Sequence, residues 1–240
     1  MILGLDTATP ATAVALFDPA TGVAREERHE PGPGERPRHT TGLMRLVVEQ
    51  IQSLGAGWAD IERIAVGIGP GTFTGLRIGV ATAQALARTR EVDLVGVSTL
   101  HSLALGAAAE AEPGDEAVVA VIDGRRREVF AAGWSLHDVA DPQAPPLISP
   151  RAVPIQELAE TLQEARVRWL ATGDGSVAFT AALEGSGARI PKDDSGRNAV
   201  SAIDHCRLAA GLPSGSPEGV RPEYLRLPDA EISRRAARQP

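Results

Sequence analysis

The chain has 240 residues, of which 43% are hydrophobic and 3% aromatic, so it can bury a core built mainly from Ala, Val, Leu and Ile. Its formal net charge is −7 and no long basic tract is present, which argues against autonomous nucleic-acid binding. The single cysteine, Cys206, excludes a disulfide framework and a zinc site made of several thiolates.

The N-terminal sequence MILGLDTATP lacks the basic start of a signal peptide. No apolar run approaches the roughly 18 residues that a membrane span needs. We therefore expect a cytoplasmic protein that makes no contact with a membrane.

Apolar runs separated by turn residues predict three strands at the start of the chain, arranged as an antiparallel meander. A loop rich in Pro, Gly, Glu and Arg follows at residues 30–38, and strands and helices then alternate. The elements predicted for this half are strands at 2–6, 12–17, 23–29, 61–68 and 94–97, and helices at 40–54, 76–88 and 99–109.

The polar stretch at residues 110–116 indicates a boundary, after which strands again precede helices. We expect an α/β protein with subdomains at 1–110 and 111–217, and a C-terminal segment of about residues 218–232 that packs back on the first. The elements predicted for the second half are strands at 117–123, 128–135 and 168–171, a loop at 138–150, and helices at 155–165, 176–183 and 199–210.

The glycine-rich segment GIGPGTFTGLRIG, residues 67–79, follows a predicted strand and leads into a predicted helix. Such a loop can hold an anion, because unpaired N–H groups and the helix dipole both favour negative charge. The segment has neither the Gly-Lys-Ser/Thr of a Walker A loop nor the glycine spacing of a Rossmann loop. The structural alternative is a sharp turn with Thr72 or Thr74 capping the helix.

The segment GIGPGTFTGLRIGVATAQALA closely resembles the GPGSFTGLRIG-like signature of the TsaB (YeaZ-type) family. Other segments resemble family motifs in the same order, so the resemblance covers nearly the whole chain. These segments are MILGLDTATPATAVAL, HTTGLMRLV, VSTLHSLA, IDGRRREVFAA and RPEYLRLPDAE.

The resemblance implies the actin-like/Hsp70-like ATPase fold, in which two similar α/β subdomains, each with a mixed sheet and helices, surround a cleft. It also implies a non-catalytic dimerisation subunit that binds TsaD and acts with the ATPase TsaE to form N6-threonylcarbamoyladenosine at position 37 of tRNA. The chain would form a homodimer alone and a heterodimer with TsaD, and would meet tRNA only through the complex. The alternative is an active ATP-dependent kinase or transferase of the same superfamily.

Nucleotide binding by the isolated chain is expected to be weak or absent, with no resident cofactor, although the complex could bind ATP or ADP. Asp6-Thr7-Ala8-Thr9 keeps a carboxylate and hydroxyls but has no glycine that would let a phosphate approach. Gly173-Asp174-Gly175 lies where the superfamily has a second nucleotide loop, and fits an ordinary strand-to-helix turn equally well. The residues of a vestigial phosphate site would be Asp6, Thr7, Gly69, Gly71, Thr72 and Thr74.

A TsaD-like enzyme needs two histidines four residues apart on a helix, which places both imidazoles on one face. Leu43 occupies the position four residues after His39, and His29, His101, His137 and His205 have no partner at metal-ligand spacing. The sequence therefore predicts no metal site and no catalytic residue, which also disfavours a metalloprotease.

The predicted helix at 40–54 has a wide apolar face, because Met44 and Val48 extend its core stripe to an arc of roughly 200°, twice the ~100° that one core face requires. Small residues at four-residue spacing on the next helix would let another helix approach closely. We predict a surface for TsaD or a second copy, with internal packing as the alternative. The predicted interface residues are Leu43, Met44, Val47, Val48, Ile51, Gly79, Ala83 and Ala87.

Arg125, Arg126 and Arg127 form a basic cluster in a predicted hairpin turn of this acidic chain. They could contact tRNA phosphates in the assembled complex, or they could simply form a solvated turn. Near the C-terminus, Tyr224 could hold the final segment on the first subdomain through its ring and hydroxyl.

Overall fold

The computed structural model describes residues 1–226 except 33, 192–195 and 197. The strands of its first sheet are β1 (Ile2–Asp6), β2 (Thr12–Phe17), β3 (Ala24–His29), β4 (Arg63–Gly69) and β5 (Asp93–Ser98). They lie in the order β3-β2-β1-β4-β5. The first three strands pair antiparallel, which confirms the predicted meander, and β4 and β5 add parallel on the other side of β1.

The second sheet repeats this plan with one strand fewer. Its strands are β6 (Ala117–Asp123), β7 (Glu128–Ser135), β8 (Ile148–Pro154) and β9 (Trp169–Thr172), in the order β8-β7-β6-β9. The first three are antiparallel, and β9 pairs parallel with β6. Strand β8 was missed, and it begins inside the predicted loop. Its sequence ISPRAVP contains two prolines, which an edge strand tolerates and a central strand does not.

The helices are α1 (His39–Ser53), α2 (Phe73–Arg90), α3 (Thr99–Ala108), α4 (Ile155–Ala165), α5 (Asp174–Ala178), α6 (Thr180–Gly185) and α7 (Ala202–Gly211). The prediction of one helix at 176–183 is wrong, because Phe179, at φ −121° and ψ 31°, separates α5 from α6. None of the helices in the described part of the chain has the length and apolar character required to cross a bilayer.

Alternate residues of each strand face different helical layers. In the first sheet, Leu3 packs with α1 and α2, whereas Ile2 packs with α7. In the second sheet, Val119 packs with α4 and α6, whereas Val118 packs with α3. Helices α3 and α7 also contact each other, so they form the layer between the two sheets. The result is two similar α/β halves that share a central helical layer.

The packing of α3 and α7 differs from the predicted subdomains 1–110 and 111–217. Helix α3 comes before residue 110, but Leu100 and Leu103 pack in a cluster with the second sheet. Helix α7 comes after it, but Ala202 and Cys206 pack on the first sheet. The polar stretch at 110–116 marks where the chain passes between sheets, and it carries no information about which sheet each helix covers.

The segment that follows α7 returns along the first sheet. The amide of Leu94 donates a hydrogen bond to the Gly215 carbonyl (3.3 Å), and the amide of Glu223 donates to the Ile68 carbonyl (2.7 Å). Beyond Arg226, the predicted C-terminal segment lies outside the described residues.

Candidate functional site

A cavity of about 240 Å³ opens between the two halves. The turn between β1 and β2 and the glycine loop before α2 form one side, and the β6–β7 turn and the start of α5 form the other. The C-terminal segment completes the lining. Residues contributed by these elements include Thr9, Gly71, Arg125, Asp174 and Tyr224.

The glycine loop packs directly against the β1–β2 turn. The amide of Thr72 donates a hydrogen bond to the carbonyl oxygen of Ala8 at 2.7 Å. A Cβ on Gly71 would overlap this same oxygen, and a Cβ on Gly75 would overlap the carbonyl oxygen of Thr7. Glycine is therefore needed here because two backbone segments approach each other closely, which supports the structural interpretation of the motif.

The start of α2 lies earlier than predicted. The helix begins at Phe73 with Thr72 in the N-cap position, where its side chain makes no capping hydrogen bond. Gly69 has φ +116°, a value that residues with side chains rarely adopt, so the turn into the loop also requires glycine.

The carboxylate of Asp6 is directed into the protein and does not line the cavity. Asp6 is only 1% exposed, and its Oδ2 lies 2.8 Å from Nε2 of His205 on α7. Its Oδ1 accepts a hydrogen bond from the Ala8 amide at 2.9 Å. Asp6 is thus a buried, hydrogen-bonded turn residue, and both carboxylate oxygens have partners.

Packing of the glycine loop on the β1–β2 turn brings the six residues predicted for a vestigial phosphate site into one region, but most of them do not face the cavity. Only Gly71 and Thr72 line the cavity. Thr7 is buried, with its hydroxyl donating to the Gly75 carbonyl at 2.8 Å, and Thr74 is exposed outside the lining. Gly69, like Asp6, lies outside the lining. The six residues therefore do not share one lining of the cavity, as the predicted phosphate site would require.

His205 is the residue that sequence analysis failed to connect with this region. It is fully buried and 199 residues from Asp6, and no local pattern indicates the contact.

Two further buried side chains could titrate or bind a metal. Nδ1 of His39 lies 2.8 Å from the Thr12 hydroxyl, and burial lowers the pKa of His39. Burial raises the pKa of the Cys206 thiol, so that thiol stays protonated. The described residues contain no group of three His, Cys, Asp or Glu side chains that could hold a metal ion.

The Gly173-Asp174-Gly175 segment forms a close strand-to-helix turn. Gly173 has φ +111°, and a Cβ there would overlap the carbonyl oxygen of Val121. The carboxylate of Asp174 accepts a hydrogen bond from the Asp123 amide at 3.0 Å. The segment leads from β9 into α5 and packs against the end of β6, and this close packing explains its glycines.

The C-terminal segment contacts both halves of the molecule. The Tyr224 hydroxyl accepts a hydrogen bond from Nε of Arg77 at 3.2 Å, and its ring lies 5.1 Å from that of Phe73. Nη1 of Arg226 lies 2.7 Å from a carboxylate oxygen of Glu128 on β7. Tyr224 therefore holds the segment on α2, while Arg226 attaches it to the second sheet.

Residues 34–184 match the family model described as TsaD: tRNA N6-adenosine threonylcarbamoyltransferase. The tRNA threonylcarbamoyladenosine biosynthesis protein TsaB of Escherichia coli is 34% identical over 74% of this chain and 73% of its own length. A Pseudomonas aeruginosa protein described as similar to the peptidase YeaZ superposes with a TM-score of 0.75 at 27% identity, covering 94% of this chain and 99% of that chain. This chain belongs to the TsaB (YeaZ-type) family.

Membership of the TsaB family confirms the resemblance found in the sequence. YeaZ from Pseudomonas aeruginosa superposes with a TM-score of 0.70 at 25% identity over 92% of this chain. The two mixed sheets with their helices confirm the predicted fold class, an α/β protein with two similar subdomains, each with a mixed sheet and helices.

In this TsaB-family chain, six of the eight predicted interface residues lie inside its own core, so the interface prediction is wrong for those six. Helices α1 and α2 use them to pack on the first sheet, and a Cβ on Gly79 would overlap the Thr7 hydroxyl. The six buried residues are Leu43, Val47, Ile51, Gly79, Ala83 and Ala87. Only Met44 and Val48, each 40% exposed, face outward.

The outward small residues of α2 are Ala81 and Ala85, both exposed and four residues apart. They follow the predicted row Gly79, Ala83 and Ala87 by two residues, which places them on the other side of the helix. The helix therefore has two rows of small residues, and the sequence alone did not indicate which row faces outward.

Proposed function

We propose that this chain is a non-catalytic partner and dimerisation subunit of TsaD, acting with the ATPase TsaE in the formation of N6-threonylcarbamoyladenosine in tRNA. The names of its relatives support a role in this modification. In the proposal, the chain is cytoplasmic, forms a homodimer alone, binds TsaD as a heterodimer and meets tRNA only within the complex. It carries no cofactor of its own.

The observation that carries the non-catalytic part of this proposal is the direct contact between the glycine loop and the β1–β2 turn. A phosphate held between these segments would have to separate the Thr72 amide from the Ala8 carbonyl, which are 2.7 Å apart. The buried pairing of Asp6 with His205 also keeps that carboxylate away from a hydrated cation. Both features favour a binding subunit over an active kinase or transferase.

The exposed apolar side chains of α1 supply the surface for the partner. Met44 and Val48 are one helical turn apart and share one face of α1. Helix α2, which contacts α1, adds the small side chains of Ala81 and Ala85. We propose that TsaD, or a second copy of this chain in its absence, packs on these two helices.

Light scattering tests this proposal on the purified chain, alone and mixed with TsaD of the same organism, with and without ATP. We expect a heterodimer that forms at the expense of the homodimer. Val48→Asp should weaken TsaD binding at least about ten-fold, because an unpaired charge would enter an apolar contact. Val177→Asp is the matched control, because Val177 is 39% exposed and lies on α5.

Two outcomes would contradict the proposal. A folded Val48→Asp variant that binds TsaD at full strength would show that this face of α1 is not the interface. A chain that ignores TsaD but binds ATP would instead support the active kinase or transferase.

A further inference from the structure

The turn between β6 and β7 has an unusual backbone. Arg125, Arg126 and Arg127 have φ values of 67°, 55° and 64°, so three consecutive residues with side chains adopt the left-handed conformation. This conformation brings Cβ close to the following carbonyl oxygen, and glycine or asparagine usually occupies it. Because all three arginines are exposed, their side chains add nothing to the core. Core packing therefore does not explain arginine at these positions, where glycine would adopt the backbone conformation with less strain.

Hydrogen bonds on both sides fix the backbone of this turn. The amide of Arg125 donates to Oδ1 of Asp123 at 2.8 Å, and the amide of Glu128 donates to the Arg125 carbonyl at 3.0 Å. The Arg127 carbonyl accepts a hydrogen bond from the Ile155 amide at 3.2 Å. A turn already held in place loses little further backbone entropy when it binds a partner.

The charge of the turn contrasts with that of the whole chain, which is −7. The turn carries three exposed arginines in succession, and Arg125 also lines the cavity between the two halves. The contact of Arg125 Nη1 with Asp123 Oδ2 is long, at 3.8 Å, and the Arg125 side chain is 72% exposed. Such an exposed pair is weak, so it competes little with a phosphate.

We infer that this arginine turn, residues Arg125 to Arg127, binds the phosphate backbone of the tRNA in the assembled complex. The inference rests on the proposed function and adds a contact surface to it. Guanidinium groups match phosphate in geometry and can bind it through two hydrogen bonds. Three such contacts give modest, sequence-independent affinity, which suits a surface that positions an RNA already held by the catalytic partner.

The experiment measures how tightly the complex of this chain with TsaD binds an unmodified, fluorescein-labelled tRNA transcript. The complex is titrated into the labelled tRNA at a series of salt concentrations, and fluorescence anisotropy reports binding. The test variant carries Arg125→Gln, Arg126→Gln and Arg127→Gln. The control variant carries Arg25→Gln, Arg36→Gln and Arg166→Gln, which removes the same charge from exposed arginines on β3, before α1 and after α4. A third variant replaces the three turn arginines with lysine.

We expect the test variant to bind tRNA at least about ten-fold more weakly at low salt. Its plot of log affinity against log salt should also be shallower, by about 0.9 for each lost duplex contact. The control variant should change affinity less than about two-fold, and the lysine variant should keep most of the salt dependence, because lysine also binds phosphate as a point charge. Light scattering should show unchanged TsaD binding by every variant.

Unchanged tRNA affinity in the test variant would overturn the inference. An equal loss in the control variant would also overturn it, because the effect would then come from overall charge. A loss of TsaD binding confined to the test variant would assign the turn to a protein contact instead. Failure of the unmutated chain to bind TsaD would be seen before any RNA is added, and would refute the proposed function on which the inference rests.

Discussion

Nε2 of His205 on α7 lies 2.8 Å from Oδ2 of Asp6 at the end of β1, and both side chains are buried. The pair joins two elements that are 199 residues apart, and it fixes the carboxylate on the side of the sheet that faces α7. Removing one member would leave the other buried without its partner.

His205→Ala is therefore expected to lower the free energy of unfolding by about 3 kcal/mol, because it leaves a buried carboxylate without its partner and opens a cavity. Urea denaturation followed by circular dichroism measures this change. His137→Ala is the control, because the His137 side chain is 91% exposed and its loss should cost less than about 0.5 kcal/mol. Equal effects of the two substitutions would show that the buried pair contributes little.

Gly75→Ala is expected to destabilise the protein by about 2 kcal/mol or more, because its Cβ would overlap the carbonyl oxygen of Thr7 and push α2 away from the β1–β2 turn. Thermal unfolding provides the measurement. Gly185→Ala, at the end of α6, has no neighbouring atom within 4 Å of the added Cβ and should be neutral or slightly stabilising. A Gly75→Ala variant with unchanged stability would contradict the close packing of loop and turn.

His101 is expected to make stability fall in mild acid. Burial lowers the pKa of His101 below its ordinary value. Two effects oppose this shift in part: the hydrogen bond between its Nε2 and the Val139 carbonyl (2.8 Å), and the charge of Asp141. The folded state therefore binds the proton less tightly than the unfolded chain does. The stability contributed by neutral His101 is complete above the unfolded pKa of about 6.5 and is lost as pH falls below it.

In His101→Gln, the loss of unfolding free energy between about pH 7.5 and pH 5.5 should be smaller than in the unmutated chain. Glutamine can still donate a hydrogen bond to the Val139 carbonyl, so the comparison isolates the titration. Urea denaturation at the two pH values measures it. An identical loss in both proteins would show that His101 does not contribute to the acid sensitivity.

Arg127→Gly is expected to stabilise the protein by about 0.5–1 kcal/mol, because glycine adopts the left-handed conformation without a steric penalty. Arg127→Ala should give no such gain, because alanine keeps the strained Cβ while removing the charge. Comparison of the two melting temperatures separates backbone strain from electrostatics. A gain of the same size with alanine would attribute the effect to charge.

The elements that the sequence predicted best are those whose signals are local. Strands β6 and β7 and helix α4 have the predicted bounds, because their apolar runs begin and end at turn residues. Strand β8 was missed because its antiparallel pairing with β7, the strand before it, outweighs the two prolines within it.

The site was harder to predict than the fold, because its contacts join distant parts of the chain. The spacing of α1 indicated a wide apolar face, but only the position of the first sheet determines that Leu43 is buried and Met44 exposed. On residue chemistry alone, the glycine segment favoured a sharp turn and left an anion site as the alternative. The hydrogen bond between Thr72 and Ala8, which decides between these interpretations, joins residues that are far apart in the sequence.

The packing of α7 on β1 also bears on how the chain folds as it is synthesised. Strand β1 is synthesised well before α7, the helix that covers Ile2 and pairs with Asp6, which is complete only at Gly211. One face of the first sheet must therefore stay uncovered until most of the second half has been made. Contacts of such long sequence separation form slowly and leave apolar surface exposed meanwhile. The first sheet should thus acquire its full stability only after α7 has been synthesised.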